Sequence, residues 1–271
     1  MAISKAEKAA YNDEIKDLKK DVDETYKKIN EVSSKKKKAP NIAAYYNFEQ
    51  SALLIKVMDH YLRMSDLSLE MLGIKNENFL NNARKEYYKI IQLIEEVVGT
   101  DMDRSLKEND DYVKNFDQLD PRHVLNLVEK LQALLLNLRN RFGEGSKWKW
   151  SFTELQSRVA IITKNIIKFS DIAKLRDPRS PFFYERRNLM RTCKEYLTEA
   201  AKQWRTKYEM AGKAREDLKK SIDLLSTLRK IHILFGEDEE ATKLKNTIDA
   251  GKMALQSEDK SKDLEEKSRK K

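Results

Sequence analysis

Three histidines (His60, His123 and His232) and one cysteine (Cys193) are the side chains best suited to chemistry in this chain of 271 residues. A zinc hydrolase would need an H-E-x-x-H pair on one helix face, and a di-iron bundle an E-x-x-H from each of two helices. The histidines lie far apart and complete neither pattern. A single cysteine can form neither a CxxC metal site nor an internal disulfide. Cys193 sits in "LMRTCKEYL" with no histidine close in sequence, as a small buried hydrophobe would. The seven glycines include no GxGxxG or GxxxxGK phosphate cradle. Carboxylates are abundant, but helical spacing alone nominates no acid–base pair. The chain reads as a non-enzyme, with no catalytic residue, metal site, cofactor or small-molecule substrate.

Two stretches combine aromatic and basic residues in the way recognition surfaces do. The first is "GEGSKWKWSF", where Lys147, Trp148, Lys149 and Trp150 follow a glycine-rich joint. Ser151 and Glu154 have the spacing of a capping box, and Trp150 with Leu155 that of a hydrophobic staple, which leaves Trp148 and its lysines unexplained. The second is "DPRSPFFYERR", residues 177 to 187, with Phe182, Phe183 and Tyr184 flanked by Arg176, Arg179, Arg186 and Arg187. Its prolines mark a corner between helices. Residues 164 to 191 hold eight basic and three acidic side chains, a concentration the corner does not require. The aromatics either tuck back into a bundle or form an exposed docking knuckle. Lys147, Trp148, Lys149, Trp150, Phe182, Phe183, Tyr184, Arg186 and Arg187 are therefore the candidate partner-binding residues.

The elements that must position them are helical. Charged residues reach 37%, glycine and proline are scarce, and apolar residues recur at spacings of three and four. The expected helices run over 4–32, 42–72 behind an Asn41 cap, 78–98, 121–142 between Asp120 and Gly143, 152–175, and a long pattern over 181–235 with no proline after its first residue, weakened at Gly212 where a bend is permitted. A return helix follows Gly236, and "SSKKKKAP" reads as a solvated linker. Leu127, Leu131, Leu134 and Leu138 form the expected stripe of the fourth. The fold is all-α and elongated, a multi-helix bundle with long coiled-coil-like arms in a V or a rod. An N-terminal helical region, 1–145, and a C-terminal region, 146–271, meet near the glycine-rich joint, and the charged tail, 257–271, frays.

The formal net charge of +9 comes from 54 basic and 45 acidic residues, mostly interleaved along helix faces. Nucleic-acid binding would want a one-sided basic face and is set aside. No apolar run approaches the length of a membrane span. No apolar leader opens the chain, so it reads as cytoplasmic as it stands, or as periplasmic if a signal peptide has been removed.

The stretches "YYNFEQSALLIKVMDHYLRM" and "SPFFYERRNLMRTCKEYLTEAAKQWRTKYEMA" give the chain a general resemblance to the all-helical flagellar coiling proteins of spirochaetes. The resemblance implies a structural role in motility, as part of the sheath around a flagellar filament, and carries over no functional residue. Independently, the residues point to a non-catalytic scaffold whose partners are proteins of a larger assembly, flagellar filament proteins among them. The alternative is a basic helical protein that binds and curves membrane surfaces, with the lysine linker and the Lys-Trp-Lys-Trp turn as its contacts.

Overall fold

Local caps decide where most of these helices begin and end, and non-local partners decide the rest. The computed structural model describes residues 4–269, and the side chains only as far as residue 257; the expected fraying at 257–271 lies outside the described side chains. Ten α-helices and two 3₁₀ turns carry the described residues, so the fold is all-α.

Helix α1 (Lys5–Lys38) opens with a reciprocal capping box. The Ser4 hydroxyl accepts from the Glu7 N–H at 3.1 Å, and the Glu7 carboxylate accepts from the Ser4 N–H at 2.8 Å. The helix does not stop at residue 32. "SSKKKK" continues it, and the four lysines form its last turn, where the helix dipole favours positive charge. Lys36 reaches Glu96 at 3.0 Å. The expected linker is thus helix, and Pro40 terminates it by forcing Ala39 out of the helical region. A 3₁₀ turn (Pro40–Ile42) contains Asn41, which therefore does not cap α2 (Ala43–Leu72). Gly73 closes α2 in the left-handed conformation that suits glycine, donating its N–H to the Leu69 carbonyl at 3.0 Å. Helix α3 (Glu77–Val98) starts at Asn76, whose side chain accepts from the N–H groups of Asn78 and Phe79.

Helix α4 (Leu106–Val113) and a 3₁₀ turn (Lys114–Phe116) occupy the polar stretch before α5 (Pro121–Phe142). Asp120 accepts from the His123 N–H at 2.9 Å and caps α5 as its sequence implies. The buried stripe of α5 is rotated from the expected one. Val128 and Leu135 join Leu131, Leu134 and Leu138 inside, and Leu127 is only half-buried. Helix α6 (Lys149–Asn165) begins two residues before Ser151, so Ser151 lies within the first turn and donates to the Trp148 carbonyl at 2.9 Å instead of capping.

Two expected helices are each divided. The 152–175 pattern becomes α6 and the short α7 (Phe169–Lys174). The 181–235 pattern becomes α8 (Phe183–Met210) and α9 (Arg215–Leu234), which pack on each other, and α10 (Asp238–Arg269) packs on α9. The second break is a left-handed pair, Gly212 at φ 85° and Lys213 at φ 54°. Glycine adopts that region without steric cost, so it ends a helix here where the apolar stripe alone predicts continuation.

The chain forms two compact units, each assembled from separated segments. The first comprises residues 1–100, 112–119 and 126–155; the second comprises 101–111, 120–125 and 156–271. Residues 146–155, grouped by sequence with the C-terminal region, thus belong to the first unit. In that unit α2 packs against α1 and α3, the buried Tyr87 hydroxyl donates to the Leu131 carbonyl at 2.9 Å, and Arg141 grips Asp66 through two bonds of 2.7 and 2.9 Å. The second unit buries Val159, Ile162, Leu189, Cys193, Leu197, Trp204, Leu218 and Leu228.

Candidate functional site

The Lys-Trp-Lys-Trp turn lies in the first unit. Lys147 is exposed, and Trp148, Lys149 and Trp150 are half-buried. The Arg84 guanidinium from α3 lies 3.6 Å from the centre of the Trp148 ring, within cation–π range. One face of Trp148 is therefore occupied by its own unit. Lys149 sits 5.0 Å from the Trp150 ring in the same manner.

The corner from 175 to 187 lies in the second unit and is built from its own hydrogen bonds. Asp177 accepts from the Arg179 N–H at 2.8 Å, and its carbonyl receives the Ser180 N–H at 2.9 Å and the Ser180 hydroxyl at 2.6 Å. The two prolines fall in this irregular segment and not in a helical turn, since α8 starts only at Phe183. Phe182 takes a left-handed φ of 57°, which non-glycine residues adopt at some cost. Arg186 offsets that cost. It is 7% exposed, and its guanidinium donates to the Pro181 carbonyl at 2.6 Å and the Ser180 hydroxyl at 2.9 Å. Arg186 is thus an internal tie that fixes the corner, a role its sequence neighbourhood does not announce.

The three aromatics divide. Phe182 and Phe183 are half-buried, with the Arg122 guanidinium 5.6 Å from the Phe182 ring. Phe183 meets Tyr184 edge-on at 5.3 Å, and Tyr184 itself is 66% exposed. Arg176, Arg179 and Arg187 are exposed on the same corner. The result is a rigid turn presenting one large amphipathic ring among guanidinium groups, a combination common at the centre of protein interfaces.

A second constellation in this unit escapes sequence reading. The break between α6 and α7 leaves carbonyls at Lys164 and Ile167, and both are met by the fully buried Asn109, whose side-chain amide donates at 3.4 and 2.8 Å. Asp110 accepts from the N–H groups of Phe169 and Ser170 at 2.7 and 3.0 Å and so caps α7 from 59 residues away. In return, Lys164 is 1% exposed and donates to the Arg104 carbonyl at 2.9 Å. Burial, reinforced by the Arg104 charge, pushes the Lys164 ammonium down to about 8. At the rim, Lys230 pairs with Asp103 at 2.6 Å and holds that carboxyl below its usual range. Nearly all these bonds run to backbone, so the arrangement clasps segment 101–111 rather than presenting a reactive group. The Asn109–Asp110 pair is its only local signal.

Cys193 is fully buried, and burial pushes its thiol up to about 12. A thiol that stays protonated is a poor nucleophile. Labelling by an aromatic disulfide reagent at pH 8 is expected to proceed only at the rate of unfolding. Fast stoichiometric labelling of the native chain would contradict this placement.

Comparison with known families places the chain among relatives. A family model matches residues 7–259, and the chain belongs to the TP0443 family. That family carries a Treponema name, which fits a spirochaete protein and assigns no flagellar role. No curated protein matches the chain.

Proposed function

We propose that this member of the TP0443 family is a non-catalytic structural protein, a subunit or accessory layer of a larger protein assembly, which meets its neighbour through the 176–187 corner. The observation that carries the reading is Tyr184, held 66% exposed on a turn fixed by the buried Arg186. A pre-organised aromatic loses little conformational freedom on binding, and surrounding arginines steer an acidic surface toward it. The Treponema family name fits a spirochaete protein, and within this reading the flagellar filament sheath is the assembly proposed, on the general resemblance to flagellar coiling proteins alone. The membrane-surface alternative draws on the lysine run and the tryptophan turn. The first is a helical turn with Lys36 paired to Glu96, and the second has Trp148 covered by Arg84, so the weight stays with a protein neighbour.

The test is a cross-linked native pull-down from the source organism, with nuclease and detergent controls, using the wild-type chain and Tyr184→Ala. A protein assembly recovered after both treatments, and reduced about 30-fold by Tyr184→Ala at unchanged helicity, is expected for an interface anchor worth about 2 kcal/mol. Loss on detergent would transfer the function to membranes, and loss on nuclease to nucleic acid. Undiminished recovery by Tyr184→Ala would remove the corner from the interface.

A further inference from the structure

A cavity of about 390 Å³ opens in the second unit beside the corner. Its floor is apolar, made by Ile172 of α7, Met190 of α8 and Phe235 at the end of α9, and its rim carries Arg176, Arg187 and Arg191. Lys194 also lines it, together with the carboxylates of Glu195 and Glu237. The volume lies within the range of small-ligand pockets, which pair an apolar lining with a few placed polar groups.

The charges on its wall are unequally committed. Lys194 donates to Glu237 at 2.6 Å, and the same carboxylate also pairs with Nδ1 of His232. Burial works to raise the Glu237 pKa, but those two partners outweigh it and keep the group below the usual carboxylate range, so the Lys194 charge is already matched. Arg191 faces Glu195 at 3.6 Å. Arg176 donates only its Nε, to the Ala173 carbonyl at 2.9 Å. Arg187 makes no hydrogen bond or ion pair among the described residues, and both of these arginines are exposed. The wall therefore offers two guanidinium forks with no carboxylate of their own, set over a hydrophobic floor.

The geometry points to a binding site for an aliphatic monocarboxylate, its hydrocarbon body on Ile172, Met190 and Phe235 and its head group between Arg176 and Arg187. A planar guanidinium fork matches a carboxylate through two parallel hydrogen bonds. Glu195 and Glu237 are paired with Arg191 and Lys194, so the uncompensated charge of the wall is that of Arg176 and Arg187, which an anionic head group meets. An apolar body without a head group would leave both forks unused. This site goes beyond the structural reading above and needs no protein neighbour, and Tyr184 does not line it.

Isothermal titration of the full chain with dodecanoate and with dodecanol, each below its aggregation concentration, tests the assignment. Dodecanoate should bind at least about tenfold more tightly than the alcohol, since only the acid engages the charged pair. Arg176→Gln with Arg187→Gln should abolish that preference while leaving dodecanol binding and helicity unchanged. A photoreactive analogue of the acid should label Met190 or Phe235. Equal binding of acid and alcohol, no binding of either, an unaffected double variant, or labelling confined to other residues would each overturn the proposal.

Discussion

Asn109→Ala is expected to destabilise the second unit by about 2 kcal/mol, since truncating one fully buried amide strands the Ile167 carbonyl and takes from the Lys164 carbonyl one of its two donors, the other being the Ile167 N–H at 3.3 Å. The Ile167 carbonyl has no helical donor to turn to, because the break between α6 and α7 removes those that would otherwise reach it. Asn109→Asp is the informative control. It preserves the shape but replaces a donor by an acceptor facing two carbonyl oxygens, so it should be at least as damaging. Equilibrium denaturation followed through the fluorescence of Trp204, which lies in the same unit, measures both variants. A loss below about 1 kcal/mol for either would mean that the break is satisfied in some other way.

The second large effect is a pH dependence. Lys164 titrates at about 8 in the folded chain, whereas an unfolded lysine holds its proton until about 10.4. Below pH 8 both states are charged, and the folded state carries the burden of the buried ammonium. Between these values the unfolded state binds more protons, so stability rises with pH, by about 2 kcal/mol from pH 7.5 to 9.5. Two other groups act in the opposite direction. The Cys193 thiol ionises near 8.5 when unfolded but stays protonated when buried, and the Tyr26 phenol, raised by burial first and by Glu86 next, does the same above about 10. Both remain in Lys164→Met, so the difference between the two stability profiles isolates the lysine. The variant should lie within about 1 kcal/mol of wild type at pH 7, because the bond lost at the Arg104 carbonyl is offset by removing a buried charge. The gap should then grow in favour of the wild type toward pH 9.5. Parallel profiles would show that Lys164 carries no shifted titration.

What the sequence made legible were features with local causes. The all-α class follows from apolar periodicity, and the Gly73, Asp120 and Gly143 boundaries follow from residues within a turn of the helix end. The misreadings have equally physical origins. The lysine run resembled a linker because its composition is solvated, but at a helix C-terminus the same charges stabilise the last turn. The 181–235 stripe continued through Gly212 because periodicity carries no record of φ, and two left-handed residues suffice to turn the chain. The break after Asn165 depends on Asn109 and Asp110, more than fifty residues earlier, which no local window can include. At the corner, exposure could not be read from residue type. Arg186 and Arg187 are adjacent and chemically identical, yet one is the buried tie of the turn and the other stands on its surface.

The interleaving of the two units governs how this chain can be made. Its path passes from one unit to the other five times, at 100/101, 111/112, 119/120, 125/126 and 155/156. No single truncation point releases either unit whole, so half-length expression products would lack indispensable segments of both. During biosynthesis the Met102 carbonyl and the Asp103 carboxylate must await Thr227 and Lys230, which are 125 and 127 residues downstream. At about 5–20 residues per second, that is a delay of roughly 6–25 s. The acid-rich composition of 101–111 suits it to that interval, because a polar segment can remain in water without attracting the apolar helices still emerging behind it.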